Sequence, residues 1–267
     1  MLPKRRWHEM TTIDFASSET RDWIAVLPIA AIEQHGPHLP VATDMIIGDA
    51  HVDRVIERLP ADLPATFLPI QAVGKSNEHI SSPGTLTFSW ETVTKMWIEI
   101  GDSVARAGVR KMVIVTSHGG NVPIMDIVAR ELRVKYDMLC VSTAWSRFGN
   151  PVGVFSDREI RYGIHGGDRE TSIVLRTRPD LVRMDKADDF TSTQMRLEQE
   201  MTHLRLHGQM QFGWKAQDAN PAGTVGEAHV ATPEKGDLAL NHAANGFVEL
   251  LKDVARFDLE RLWTPSL

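Results

Sequence analysis

The chain has one cysteine, Cys140, in 267 residues. A lone thiol excludes an intramolecular disulfide and any metal site built from clustered cysteines. Cys140 lies in the apolar run "MLCVSTA" and reads as a small buried hydrophobe. No apolar stretch approaches the ~20 residues of a membrane span, so no membrane partner is expected. Basic charge is not in excess: 29 Lys and Arg against 35 Asp and Glu leave a net charge of -6. That balance offers no basic face to nucleic acid. The opening "MLPKRRWHEM" is basic, but no apolar segment follows it, which argues against a secretory signal. The GxSxG elbow of serine hydrolases and the GxxxxGK[ST] phosphate loop are both missing. These absences leave a cytoplasmic, enzyme-sized protein with a small-molecule substrate.

What is present is an alternation of short apolar runs and amphipathic stretches. "WIAVLPIAA" (23–31), "ATFLPI" (65–70), "KMVIVTS" (111–117) and "MLCVSTA" (138–144) are apolar throughout. Continuous rather than alternating apolarity suits parallel strands covered on both faces. Helices are expected over 44–59, over 89–108 with Ser89 as cap and Gly108 as terminator, and from Asn121 as cap with Pro123 in the first turn. A last helix over about 235–258 presents Leu240, Ala243, Ala244, Phe247, Leu250, Leu251 and Val254 on one face. The stretch "MRLEQEMTHLRLHG" in the more polar 188–220 region reads as a further helix. The pattern predicts a single three-layer αβα domain over residues 1–267, with a mostly parallel sheet and right-handed crossovers.

Chemistry gathers at the predicted strand ends, where parallel α/β sheets place their sites. In "AAIEQHGPHLPVATD", Glu33 and His35 follow the first strand at a spacing of two, which puts both on one face of an extended chain, and Asp44 opens the next helix. In "SHGGN", His118 follows the third strand, and two glycines allow a ligand close to the backbone. In "IHGGDRETS", His165 and Glu170 flank another glycine pair. Taken singly, Asp44 reads as a helix cap and His118 as a turn residue. His38 reads as a solvent-facing or supporting residue. His8, His51, His203, His207, His229 and His242 read as surface or structural. Together, carboxylates and imidazoles without thiolates suit divalent Zn, Mn or Fe. The surplus of candidate ligands over the needs of one tetrahedral zinc favours two metals with Asp44 between them, able to activate a bridging water and polarise a carbonyl.

Five motifs, "EQHGPHLPVATD", "KSNEHISSPGT", "SHGGN", "HGGDRETS" followed by "RPDLV", and "GEAHVATPEKG", occur in the order found in the creatininase (creatinine amidohydrolase) family. The resemblance spans about residues 27–236. It implies a three-layer α/β fold, a paired divalent metal site, Zn first with Mn or Fe as alternatives, and cleavage of amide C–N bonds. By position it implies metal ligands at Glu33, His35, Asp44 and His118, a substrate contact at Ser76 and proton transfer at His165. One departure stands out: creatininase proper carries a metal-binding Glu two residues after the strand-end His, where this chain has Gly120. "HGGN" is similar instead to branches that include formamide-cleaving deformylases and peptide-trimming proteins of mycofactocin maturation. Some of these take a ligand from the Glu of "ETS", which makes Glu170 the fifth ligand here. The tryptophan-bearing loop before creatininase's catalytic histidine is also unmatched, so creatinine is a poor candidate substrate.

The expected reaction is hydrolysis of a small amide, formamide or cyclic amide. His165, with an imidazole pKa near 6.5, would pass the proton to the leaving nitrogen. The backbone N–H groups of Gly119 and Gly120 would help hold the oxyanion, and Glu78 and His79 would line the entrance. Rivals are a hydrolase opening a cyclic ketone of sugar or inositol catabolism, a peptide-trimming maturation protein, and a non-catalytic metal-binding partner. The resemblance further implies a homo-oligomer, a hexamer in much of the family, with the apolar residues of 201–214 as a candidate contact. Pocket shape would depend on the loops around Trp145, Phe148, Phe155 and Trp214.

Overall fold

A computed structural model describes residues 2–16 and 18–262. The sheet strands are β1 Ile24–Ile29, β2 Ala65–Phe67, β3 Lys111–Thr116 and β4 Leu139–Ala144; a separate ribbon pairs β5 Asp189–Phe190 with β6 Gly226–Glu227. The helices are α1 Thr43–Ile56, α2 Trp90–Arg106, α3 Val122–Tyr136, α4 Asp157–Tyr162, α5 Asp168–Thr177, α6 Gln194–Glu200, α7 Ala216–Ala219 and α8 Pro233–Arg256. The main sheet is all parallel in the order β2-β1-β3-β4, and β1 pairs with β3 from Ile24 opposite Lys111 to Ile29 opposite Thr116. Every residue of β1 and β3 is buried. That is why these strands read as unbroken apolar runs.

Side chains alternate across the sheet. Ala25, Leu27, Ile29, Met112 and Ile114 face α2 and α3, meeting Trp97, Val104, Val128 and Leu132. Ile24, Val26, Val113 and Val115 face α1 and α8, meeting Val52, Val55, Phe247 and Leu251. Each fully buried side chain of the size of Leu132 or Phe247 contributes roughly 1.5–3 kcal/mol. These are the three layers of an αβα fold. Among the described residues no helix is long and apolar enough to cross a membrane.

Local signals hold at several ends. Ser89 caps α2 by accepting from Thr92 N at 3.3 Å, and Gly108 leaves the helix at φ +89. Thr232 caps α8 ahead of Pro233. Two expectations are corrected. Asn121 is not a cap: its side chain accepts from Lys75 N (2.9 Å) and donates to Ala30 O (3.0 Å) and Thr116 Oγ1 (3.2 Å). It is a strut between the ends of β1 and β3 and the loop at residue 75. The "MRLEQEMTHLRLHG" stretch is helical only through α6. The Gln194 side chain accepts from Leu206 N at 2.7 Å and folds the following chain back as a loop around the fully buried Leu206.

Candidate metal centre

β1 and β3 are neighbours, so the segments leaving their carboxyl ends emerge side by side. The first carries Glu33, Gln34 and His35 and leads to Asp44 at the start of α1; the second carries His118. The loop between α4 and α5 brings His165 and Glu170 over them, and the turn at Asn77–His79 closes the remaining side. Glu33, His35, Asp44 and His118 are all buried.

The contacts divide around Asp44. His118 Nδ1 lies 3.1 Å from Glu33 Oε1 and 3.6 Å from Asp44 Oδ2. His35 Nε2 lies 3.7 Å from Asp44 Oδ1, 3.7 Å from Glu170 Oε2 and 3.9 Å from Glu33 Oε1. The two oxygens of Asp44 therefore face two different histidines. The outer nitrogens of both rings are engaged. His35 Nδ1 donates to the Glu33 carbonyl at 3.0 Å. His118 Nε2 donates to the Lys75 carbonyl at 3.0 Å, with Glu78 Oε1 3.1 Å away. A ring fixed by its outer N–H turns its other nitrogen inward.

Three inward atoms, Glu33 Oε1, His35 Nε2 and Asp44 Oδ2, have no hydrogen-bond partner although fully buried. Orphaned atoms of this kind are costly unless a cation satisfies them. The donor set, imidazole nitrogen and carboxylate oxygen without thiolate, fits divalent Zn or Mn.

The charges respond to one another. Burial alone would raise Glu33, but His118, His79 and His165 hold it well below the usual carboxylate range. Burial would lower His35, yet Asp44, Glu170 and Glu33 push it up to about 9, so its inward nitrogen holds a proton that a bound cation would displace. Burial and the nearby Glu33 carboxylate push Asp44 up to about 7.

The remaining expected residues fall as follows. Glu170 sits on the first turn of α5, and its Oε2 also accepts from Gly166 N at 2.6 Å. No side chain grows from Gly120; a Cβ there would stand 2.3 Å from Glu78 Oε1, so the glycine gives Glu78 room to reach His118. Ser76 is fully buried and donates its hydroxyl to Glu33 Oε2, which leaves Oε1 for the cluster. Glu78 and His79 line a cavity of about 750 Å³, but both also turn inward, His79 Nε2 lying 3.5 Å from Glu33 Oε1. His165 Nε2 donates to the Gln34 carbonyl at 2.8 Å and Nδ1 stands 3.6 Å from Glu33 Oε1. Its expected ordinary pKa is corrected: burial, with His35 and His79 alongside, holds it well below 6.5, so the ring is neutral at pH 7. His38 is not solvent-facing but buried, with Nε2 3.0 Å from both Gly166 O and Thr171 Oγ1. His51 is buried and stacked on Trp145.

Three participants carry no obvious sequence signal. Gln34 lies between the inward-facing Glu33 and His35 and so faces another way. Its amide donates to His79 Nδ1 (2.8 Å) and the Gly223 carbonyl (2.5 Å). Glu159 accepts from Glu227 N (2.8 Å) and Arg169 N (3.3 Å), in a niche walled by Gly163, Gly167 and Gly226. Burial pushes Glu159 up to about 7. Arg169 lines the same cavity as the cluster.

The creatininase family model, described as creatinine amidohydrolase, matches residues 8–251. The chain belongs to the creatininase family. A mycofactocin precursor peptide peptidase of Mycobacterium ulcerans is 30% identical over 251 residues, covering 91% of this chain and 87% of that protein. A creatinine amidohydrolase of Pseudomonas putida is 28% identical over 250 residues, covering 87% and 90%. A solved creatininase variant of Zn–Zn type matches with a TM-score of 0.76 at 25% identity, over 95% of this chain and 99% of that one; a manganese form of creatininase gives 0.75. As a creatininase-family protein, this chain is a metal-dependent amidohydrolase, and its buried His and Glu cluster is able to bind metal.

Proposed function

We propose that this creatininase-family enzyme hydrolyses the C–N bond of a small amide, formamide or cyclic amide. Glu33, Asp44 and His118 would hold one divalent cation and His35, Asp44 and Glu170 the other. The observation that carries this reading is the convergence of three orphaned buried atoms: Glu33 Oε1 and Asp44 Oδ2 lie within 3.6 Å of His118 Nδ1, and His35 Nε2 stands 3.7 and 3.9 Å from the Asp44 and Glu33 carboxylates. Bound divalent cations supply Lewis acidity, polarising a carbonyl and making a water acidic near neutral pH.

The chain's own residues do the rest. Ser76 and Glu78 orient Glu33 and His118. His165, neutral and with Nδ1 open to the site, takes a proton from the attacking water and returns it to the leaving nitrogen. His79 accepts from the Gln34 amide at Nδ1, which leaves Nε2–H as a donor toward the site. Backbone N–H groups at Gly119 and Gly120, in the turn before α3, would help hold a developing oxyanion.

Stripping the enzyme with chelator and restoring Zn or Mn singly tests the reading. Amine release from an amide panel should vanish and return; activity that survives complete metal removal overturns it. Release of a ring-opened acid without amine would favour the cyclic-ketone alternative. Trimming of a peptide is a second form of the same chemistry. The relative named as a peptide peptidase and the aromatic wall of the larger cavity, with Phe212 and Trp214, support it. A homo-oligomer belongs to the same proposal; sedimentation as a monomer at micromolar concentration removes it.

A further inference from the structure

The metal cluster lies between two cavities. Both share His118, Gly119, Ile164 and His165 as walls. The larger one, toward Trp214, is mainly apolar. The smaller one, about 320 Å³, is lined by Glu33, Asp44 and Glu170 and also by Asn150, Ser146 and Arg169. A bond held over the cluster therefore extends into a polar chamber on one side.

Arg169 is anomalous in that chamber. Its backbone N–H is bonded to Glu159. Its guanidinium, which has five N–H donors, makes no hydrogen bond to any described residue. No carboxylate oxygen of a described residue lies within 4 Å of it, although Glu159 and Glu170 are near enough to act on it electrostatically. The side chain is half-buried. On its protein side it approaches His51, a buried ring stacked on Trp145 at 4.5 Å whose two nitrogens are themselves unpartnered. No hydrogen bond forms between that ring and the guanidinium. Its donors are left to the cavity, where a planar two-oxygen anion is the matching partner. A cation unpaired in a partly enclosed cavity is less screened than one in bulk water; a ligand carboxylate that pairs with it gains a charge-assisted contact.

We propose that the substrate carries a carboxylate beside its scissile amide and that the Arg169 guanidinium receives it. This rests on the hydrolase reading above and narrows the substrate class to amides of amino acids, peptide carboxyl ends or other carboxylate-bearing amides. Arg169 is then a specificity-determining residue. Neutral amides of the same size lose the pairing.

The test uses the full chain loaded with Co²⁺, whose visible spectrum reports directly on ligands at the cluster. The probes are monohydroxamates of malonic, succinic and glutaric acids, each matched with its neutral carboxamide; the hydroxamate anchors on metal and the chain length spans the gap. At least one acid should bind 10-fold or more tighter than its carboxamide. In Arg169→Met that preference should collapse to within about twofold, while affinity for the carboxamides and the cobalt spectrum stay unchanged. Arg169→Lys should keep part of the preference. Equal affinity for acid and carboxamide throughout the parent series overturns the proposal. So does an equal loss of both in Arg169→Met with cobalt retained, because that marks a merely structural charge. Failure of even the carboxamides to perturb the cobalt spectrum overturns the metal-site reading itself, so the two failures are distinguishable.

Discussion

Several residues of the cluster have a second atom that is already committed. His118 is the clearest case: Nε2 is fixed between the Lys75 carbonyl and Glu78 Oε1, so Nδ1 cannot turn away from Glu33 and Asp44. Partners of this kind are worth about 10–100-fold in metal affinity. Glu78→Ala is expected to weaken metal binding within that range, measured by chelator competition, and Glu78→Gln less, since its amide oxygen still accepts from the ring. Glu159 gives a pH signature instead. Burial raises its folded pKa to about 7 from an ordinary 4.5, so the folded state holds the proton more tightly than the unfolded chain. Stability contributed by this group is therefore full below about pH 4.5 and falls as pH rises to 7, by about 3 kcal/mol. Glu159→Gln cannot ionise. Relative to the parent it should gain stability between pH 4.5 and 7 in urea titrations; a constant difference across that window would refute the assignment.

At the level of elements, the segment from α4 to α5 is what completes the site. It is pinned at His165 by Val225 N and Thr224 Oγ1 donating to the His165 carbonyl at 2.8 and 2.7 Å, and its turn requires Gly166 at φ +67. A Cβ at Gly166 would also stand 2.2 Å from Thr224 Oγ1. Gly166→Ala should destabilise the fold by more than about 1 kcal/mol and, by shifting His165 and Glu170 together, lower metal content on elemental analysis. Wild-type metal content with unchanged stability would contradict this. Much of the scaffold is legible in the amino-acid sequence alone: β1 and β3 are apolar at almost every position because both faces are covered, and Glu33, His35, Asp44, His118 and Glu170 stand at strand ends and helix starts where such a sheet places chemistry. What is illegible depends on approach between distant segments. Asn121 looks like a cap, but the close ends of β1 and β3 recruit its amide as a strut. The helical periodicity after Glu200 loses to the Gln194–Leu206 bond. Glu159 owes its niche to glycines at 163, 167 and 226, and the isolation of the Arg169 guanidinium is a property of the cavity alone.

For the molecule as a whole, the cluster joins four separate parts of the chain, so cation binding and global stability must be linked. Glu33 and Asp44 are buried together, and their mutual repulsion opposes folding unless positive charge stands between them. A cation that binds only the folded chain at a thousandfold above its Kd adds about 4 kcal/mol, which for a protein of this size raises Tm by roughly 10 °C. Chelator should remove that increment and Zn should restore it. Asp44→Asn separates the two effects in opposite directions. It relieves a carboxylate pair, so the metal-stripped variant should melt no lower than the metal-stripped parent. It also removes the group that faces both His35 and His118, so added Zn should no longer raise Tm by more than a degree or two. A ligand role predicts that crossing of the two curves. If Asp44 served only to start α1, the stripped variant would melt lower and zinc would still raise it by the full amount.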